Sequence, residues 1–165
     1  MLIAPKKARA GPSPKSVMMQ TFKELNAEDQ HWLLVAVAHI LMADRLYEPS
    51  EKEFFEGIMK HIFHREAKES MAAITEILAG TPLIQLPEAD IEKPEHRVFV
   101  LDVLASAVYA NGKMKHAESV KFFEAGLCLG IDMGTLTYRL NLEGEKFLIQ
   151  QKLASVRKKL LTELN

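Results

Sequence analysis

Five oxygen-bearing side chains fall at matched places in two separate loops. Asp44, Glu48 and Glu51 follow an apolar run ending at Ala43, while Asn111 and Glu118 follow a second run ending at Ala110, 67 residues further on. Loop carboxylates and amides suit hard cations, so the divalent ion such a cluster would take is calcium or magnesium. The same side chains have a plainer use. Asp44 and Asn111 can accept from loop amides, and Glu51 and Glu118 can offset the positive ends of the helices that follow. Neither loop carries the alternating acids and sixth-position glycine of an EF-hand. Lys113 and Lys115 also weaken the field for a cation in the second loop.

Other chemistry is sparse. His61 and His64 lie three apart on one helix and could share a zinc ion, yet no third ligand stands near them in sequence. His39 sits inside an apolar helix and reads as a core histidine with its hydrogen bonds satisfied. Cys128, between Leu127 and Leu129, reads as a buried, inert thiol, and as the one cysteine it excludes an intramolecular disulfide. There is no glycine-rich phosphate loop, no Gly-x-Ser-x-Gly and no His-Glu-x-x-His, so the chain is expected not to be an enzyme. A formal charge of −1 with scattered lysines and arginines argues against nucleic-acid binding.

The elements that must position these residues are all helical. Val17–Leu25 forms a short amphipathic stretch. Asn26 then caps a helix through Trp32–Ala43 that is apolar nearly all round, as a helix enclosed by others must be. Ser50 and Glu53 form a capping box for a helix burying Phe54, Phe55, Ile58, Met59, Ile62 and Phe63. Another helix spans roughly Arg65 to Ala79, and the Pro-containing stretch Thr81–Glu92 marks the middle of the domain. Pro94 opens a second all-apolar helix through Val98–Ala110. A helix from about His116 to Leu129 follows, then a short one capped by Asp132 and ending near Asn141. Beyond Glu143-Gly144 a last helix aligns Ile149, Leu153, Val156, Leu160 and Leu164. Packing on the domain is the expected use of that face, with a partner helix as the alternative. Nothing alternates with the period of a strand.

The halves repeat. Ala43-Asp44 to Glu51 matches Ala110-Asn111 to Glu118 at a shift of 67, and Phe54-Phe55-Glu56 matches Phe122-Phe123-Glu124 at a shift of 68, which implies one inserted residue. A helical hairpin cannot bury both faces alone, whereas two can shield each other. With these residues in place, the stretch from Asn26 to Gly130 resembles the tellurite-resistance TerB-like family, whose loops read Asp-Gly-x-[Ile/Leu/Val]-x-x-x-Glu. The first copy here is Asp44-Arg45-Leu46-Tyr47-Glu48-Pro49-Ser50-Glu51, with Arg45 for glycine. The second is Asn111-Gly112-Lys113-Met114-Lys115-His116-Ala117-Glu118, with Asn for Asp. The resemblance implies an all-helical fold, a bacterial stress role without catalysis, metal binding at the loops, and protein partners in a membrane-proximal or envelope-associated complex.

The expected architecture is therefore an all-α bundle of about seven to eight helices with two pseudo-symmetric helix–loop–helix units. Residues 1–15, with Lys6, Lys7, Arg9 and Lys15 among prolines, are expected to be a disordered basic tail, and Ser13-Pro14-Lys15 is a candidate docking or phosphorylation site in it. Residues 16–165 form a single domain. Basic residues without an apolar stretch after them do not make a secretory signal, and no run approaches a membrane span, so the expected location is cytoplasmic. A ligand-free interaction or dimerisation module using the last helix or the tail is the competing expectation, a homodimer being one form of it.

Overall fold

The computed structural model describes residues 24–62, 67–80 and 85–164. The basic tail and most of the Val17–Leu25 stretch lie outside those residues, as does His64. The helices are α1 (Ala27–Leu41), α2 (Pro49–Ile62), α3 (Ala67–Leu78), α4 (Pro94–Val108), α5 (His116–Cys128) and α6 (Met133–Glu163). Among the described residues there are thus six helices and no strand, fewer helices than the seven to eight expected.

The centre is the pair of all-apolar helices. α1 packs against α2, α3, α4 and α5, and α4 also touches α5 and α6. Val37 and Leu104, at the middle of the two rods, are completely buried, as are Leu33, Ile40 and Val108. Each fully buried leucine or isoleucine contributes about 1.5–3 kcal/mol relative to exposure, so this shared wall dominates the fold's stability. Asn26 caps α1 by accepting the Asp29 amide at 2.8 Å. Trp32 ties α1 to the mid-chain connection through its indole N–H, which donates to the Pro87 carbonyl at 2.9 Å.

The repeat holds one register throughout. α1 and α4 begin 67 residues apart, and so do α2 and α5. Phe55 and Phe122, also 67 apart, are both buried, so no residue is inserted between the loop and the aromatic pair. The shift of 68 followed the likeness of Phe-Phe-Glu, but burial aligns Phe55 with Phe122 rather than Phe54 with it. The start of α2 differs too: the helix opens at Pro49, and Glu51, not Ser50 with Glu53, provides the cap by accepting the Glu48 amide at 2.8 Å.

The two helices expected after Ile131 are one. Asp132 caps α6, accepting the Thr135 amide at 3.0 Å, and the helix then runs for 31 residues through Glu143-Gly144 without a break. Gly144 serves close packing: a methyl there would sit 2.6 Å from the Tyr109 hydroxyl oxygen. The Tyr109 ring stacks on Phe147 at 5.9 Å, further along the same helix. Gly126 plays a similar part in α5, where an added methyl would collide with the Leu136 side chain.

Candidate functional site

The two loops meet. Asp44 accepts the Leu46 amide at 3.0 Å, and its counterpart Asn111 accepts the Lys113 amide at 3.2 Å. Glu51 accepts the Glu48 amide at 2.8 Å, and Glu118 accepts the Lys115 amide at 3.3 Å. Every member of the second set stands 67 residues after its partner, so both loops use the same local chemistry. Each turn also needs a left-handed residue. Gly112 takes φ 86° and Arg45 takes φ 61°. A side chain in that region costs about 1–2 kcal/mol, which glycine avoids. Arg45→Gly is therefore expected to raise stability by about 0.5–1 kcal/mol in urea unfolding, the gain being trimmed by the greater freedom of an unfolded glycine. A loss of stability would show that the Arg45 side chain has a compensating role.

All five expected ligands converge, four of them on a lysine. The Lys115 ammonium donates to Asp44 Oδ2 at 2.7 Å and Glu48 Oε1 at 2.8 Å, with Glu118 Oε1 at 3.5 Å and Glu51 Oε1 at 3.7 Å. The Asn111 amide nitrogen donates to Glu51 Oε1 at 3.0 Å and Glu118 Oε1 at 3.4 Å, joining the two helix starts. Glu51 and Glu118 are each only 1% exposed, so their charges are far from bulk screening. The second loop thus carries donors at two positions where the first has acids: asparagine at 111 where the first has Asp44, and lysine at 115 where it has Glu48. Among the described residues, no group of three or more His, Cys, Asp or Glu is arranged to hold a metal ion.

The electrostatics follow from that crowding. Burial raises the Glu118 carboxyl to about 7, assisted by neighbouring Glu51 and opposed by the Lys115 amide and ammonium. Burial pushes the Lys115 ammonium down, but hydrogen bonds to Asp44 and Glu48 outweigh it and hold the group well above the usual lysine value. For Asp44, burial is again opposed, by Lys115 and the Leu46 amide, and the net direction is downward. A cation is held here, and it belongs to the chain.

No protein-family model matches this chain, and no curated protein or solved structure is significantly similar to it. Function therefore has to be read from its own residues. His39 is buried, and burial together with the Lys121 charge depresses its pKa, so it is a neutral core residue. Cys128 is partly buried and donates to the Leu86 carbonyl at 3.7 Å. Burial, then Glu88 and Glu124, raise its thiol pKa, the opposite of what a nucleophile needs. It lines an open cavity of about 530 Å³ with Lys121, Glu124 and Leu127. The expected His61–His64 pair is not described: His64 lies outside the described residues, and so does the side chain of His61.

Two features escaped the sequence. Lys115 was legible only as a weakening charge, although its repeat partner is Glu48, and opposite charges at equivalent positions of facing loops are a signal that they pair. The second is a clasp that seats α6. Buried Glu143 accepts from Arg139 at 2.9 Å, Lys146 at 3.1 Å and Ser106 at 3.2 Å, while Arg139 also reaches Asp102 at 2.8 Å. These bonds offset the burial that would raise the Glu143 carboxyl, and its pKa is lowered. The first third of α6 is thereby fixed to α4. The rest is not covered: every residue from 148 to 164 is exposed, including Ile149, Leu153, Val156, Leu160 and Leu164. The expectation that this face packs on the domain is overturned.

Proposed function

We propose that this chain is a non-catalytic, TerB-like interaction domain in which the double hairpin is a rigid mount and α6 is the contact surface. One observation carries the reading. A row of aliphatic side chains at helical spacing, expected to be core, stands in solvent on a helix that is firmly anchored at its other end. Exposed apolar stripes of that length on a soluble body mark places where something binds.

The paired loops support kinship with the TerB-like proteins, and with it service in a cytoplasmic, stress-linked or envelope-associated assembly. A divalent-ion role at the loops has weaker support, because Lys115 stands where the ion would. In this reading the acidic cluster is a clasp between the two repeats.

The test is a photo-crosslinking amino acid placed at 149, 153 or 156 of the full-length chain in cells. Adducts are expected from these positions and not from 158, on the far side of the helix. If none of the three positions yields an adduct, α6 is not a contact surface and the reading fails.

A further inference from the structure

Resting on that reading, we infer that the partner of α6 is an anionic lipid surface, on which the helix lies flat. At about 100° per residue, Leu136, Leu140 and Glu143 define the side of α6 that faces the body, and the apolar stripe lies about 130° round the helix from them. All three body-facing residues are buried. The stripe accordingly points outward along the whole helix. It begins at exposed Tyr138 and Leu142, beside the globular body, is interrupted by exposed Glu145, and continues through Ile149, Leu153, Val156 and Leu160. From Tyr138 to Leu160 is about 33 Å at 1.5 Å per residue, with the domain standing behind it. A planar surface can meet that line without touching the body.

Charge selects the surface. Between Lys146 and Thr162 the cationic residues are Lys146, Lys152, Arg157, Lys158 and Lys159, and no carboxylate falls among them. On the same wheel Lys152 and Lys159 border one edge of the stripe and Lys146 and Arg157 the other. Long cationic side chains on both borders of an apolar face let the face enter the acyl boundary while the charges stay with lipid phosphates. Lys146 is partly committed to Glu143, and Lys159 lies 3.7 Å from Glu163 across exposed surface, so Lys152 and Arg157 carry most of the attraction.

The same charges disfavour a second copy. Stripe-to-stripe pairing would set lysine and arginine borders against each other, where a coiled coil places opposite charges. A protein groove is disfavoured by the stripe's make-up. Helix-in-groove recognition concentrates in large aromatic anchors; the stripe has one, Tyr138 at its end beside the body, and none from Ile149 to Leu160, Phe147 being on the body side against Tyr109. Evenly spread aliphatic area with bordering cations suits a lipid interface. Among the described residues no helix is long and apolar enough to cross a membrane, so the mode is peripheral.

The test is flotation of the full-length protein with phosphatidylcholine vesicles, plain or with about one-third phosphatidylglycerol. Binding is expected to the anionic vesicles only, and to weaken several-fold when salt rises from about 0.1 to 0.5 M. The double substitution L153D/L160D, at two exposed positions, is expected to reduce partitioning at least about tenfold, because two buried leucines are lost from the interface. Its thermal melt, followed by circular dichroism, should match the parent. The inference is overturned if anionic vesicles do not float the protein, or if L153D/L160D floats equally well. Sedimentation showing a parental dimer that L153D/L160D abolishes would assign the stripe to a second copy. Adducts from position 153 to protein without vesicle binding would sink the lipid and leave α6 as a contact surface. Failure of both vesicles and adducts removes both readings.

Discussion

Lys115→Ala is expected to lower the unfolding free energy at neutral pH by about 3–5 kcal/mol, the cost typical of removing one partner from a buried ion cluster. The ammonium stands within 4 Å of four carboxylates, two of them almost wholly buried. Without it, Asp44, Glu48, Glu51 and Glu118 face one another with only the Asn111 amide between them. Mutual repulsion is then relieved by taking up protons, so the deficit should be larger at pH 8 than at pH 5. The variant also has room for an outside cation. Calcium at a hundredfold excess over its dissociation constant would return about 2.7 kcal/mol to the variant, and it should leave the parental protein unchanged. Urea unfolding followed by fluorescence of Trp32, the one tryptophan and a buried one, reads both effects. An unchanged midpoint for Lys115→Ala would show that the lysine is no clasp. Equal calcium stabilisation of parent and variant would show that the ammonium does not hold the centre.

That expectation turns on a residue whose role the sequence presented backwards. The five oxygen ligands were legible because each loop announces itself: an all-apolar helix ends in alanine, an Asx residue follows, and a glutamate caps the next helix seven positions on. Those features are local and repeat at a fixed interval, and the structure brings all five together. Lys115 is equally local, but a lysine near acids in sequence says only that a cation is repelled from the loop. That it is itself the cation depends on which way the facing loop turns, a tertiary fact.

The central rods were legible for a related reason, since a helix apolar on every side has nowhere to be except between others. α6 was not. Amphipathicity states that a face wants cover without saying that the fold supplies it, and Glu143-Gly144 has the composition of a break. Both residues turn out to serve contacts across to α4 and its C-terminal turn, Glu143 to Ser106 and Gly144 to Tyr109. Polar and small residues at a packed crossing imitate a loop when only their types are visible.

Glu118→Gln is expected to stabilise the protein at pH 8 by about 1–3 kcal/mol and to give no gain at pH 4.5 or below. In the fold the Glu118 carboxyl sits at about 7 against an ordinary value of 4.5, raised by burial and by Glu51 beside it. The native state therefore binds the proton more tightly than the unfolded chain does. Its contribution is complete below the unfolded value and is lost as pH climbs through 4.5 towards 7. Glutamine keeps the neutral shape at every pH. Its carbonyl can still accept the Lys115 amide, and its NH2 can donate to Glu51 as the protonated acid does. Asp44 and Glu143 act in the other direction: both are depressed in the fold, so their contributions are present above the ordinary carboxylate range and vanish in acid. The parental profile should consequently peak in the mildly acidic range, falling on the acid side through Asp44 and Glu143 and on the neutral side through Glu118. Removing the Glu118 titration should flatten only the neutral side. Urea midpoints for parent and Glu118→Gln at pH 5, 6, 7 and 8 give the comparison. Parallel profiles across that range would mean that Glu118 is ionised throughout, and that the ammonium of Lys115 neutralises the cluster more completely than the geometry of one cation among four acids allows.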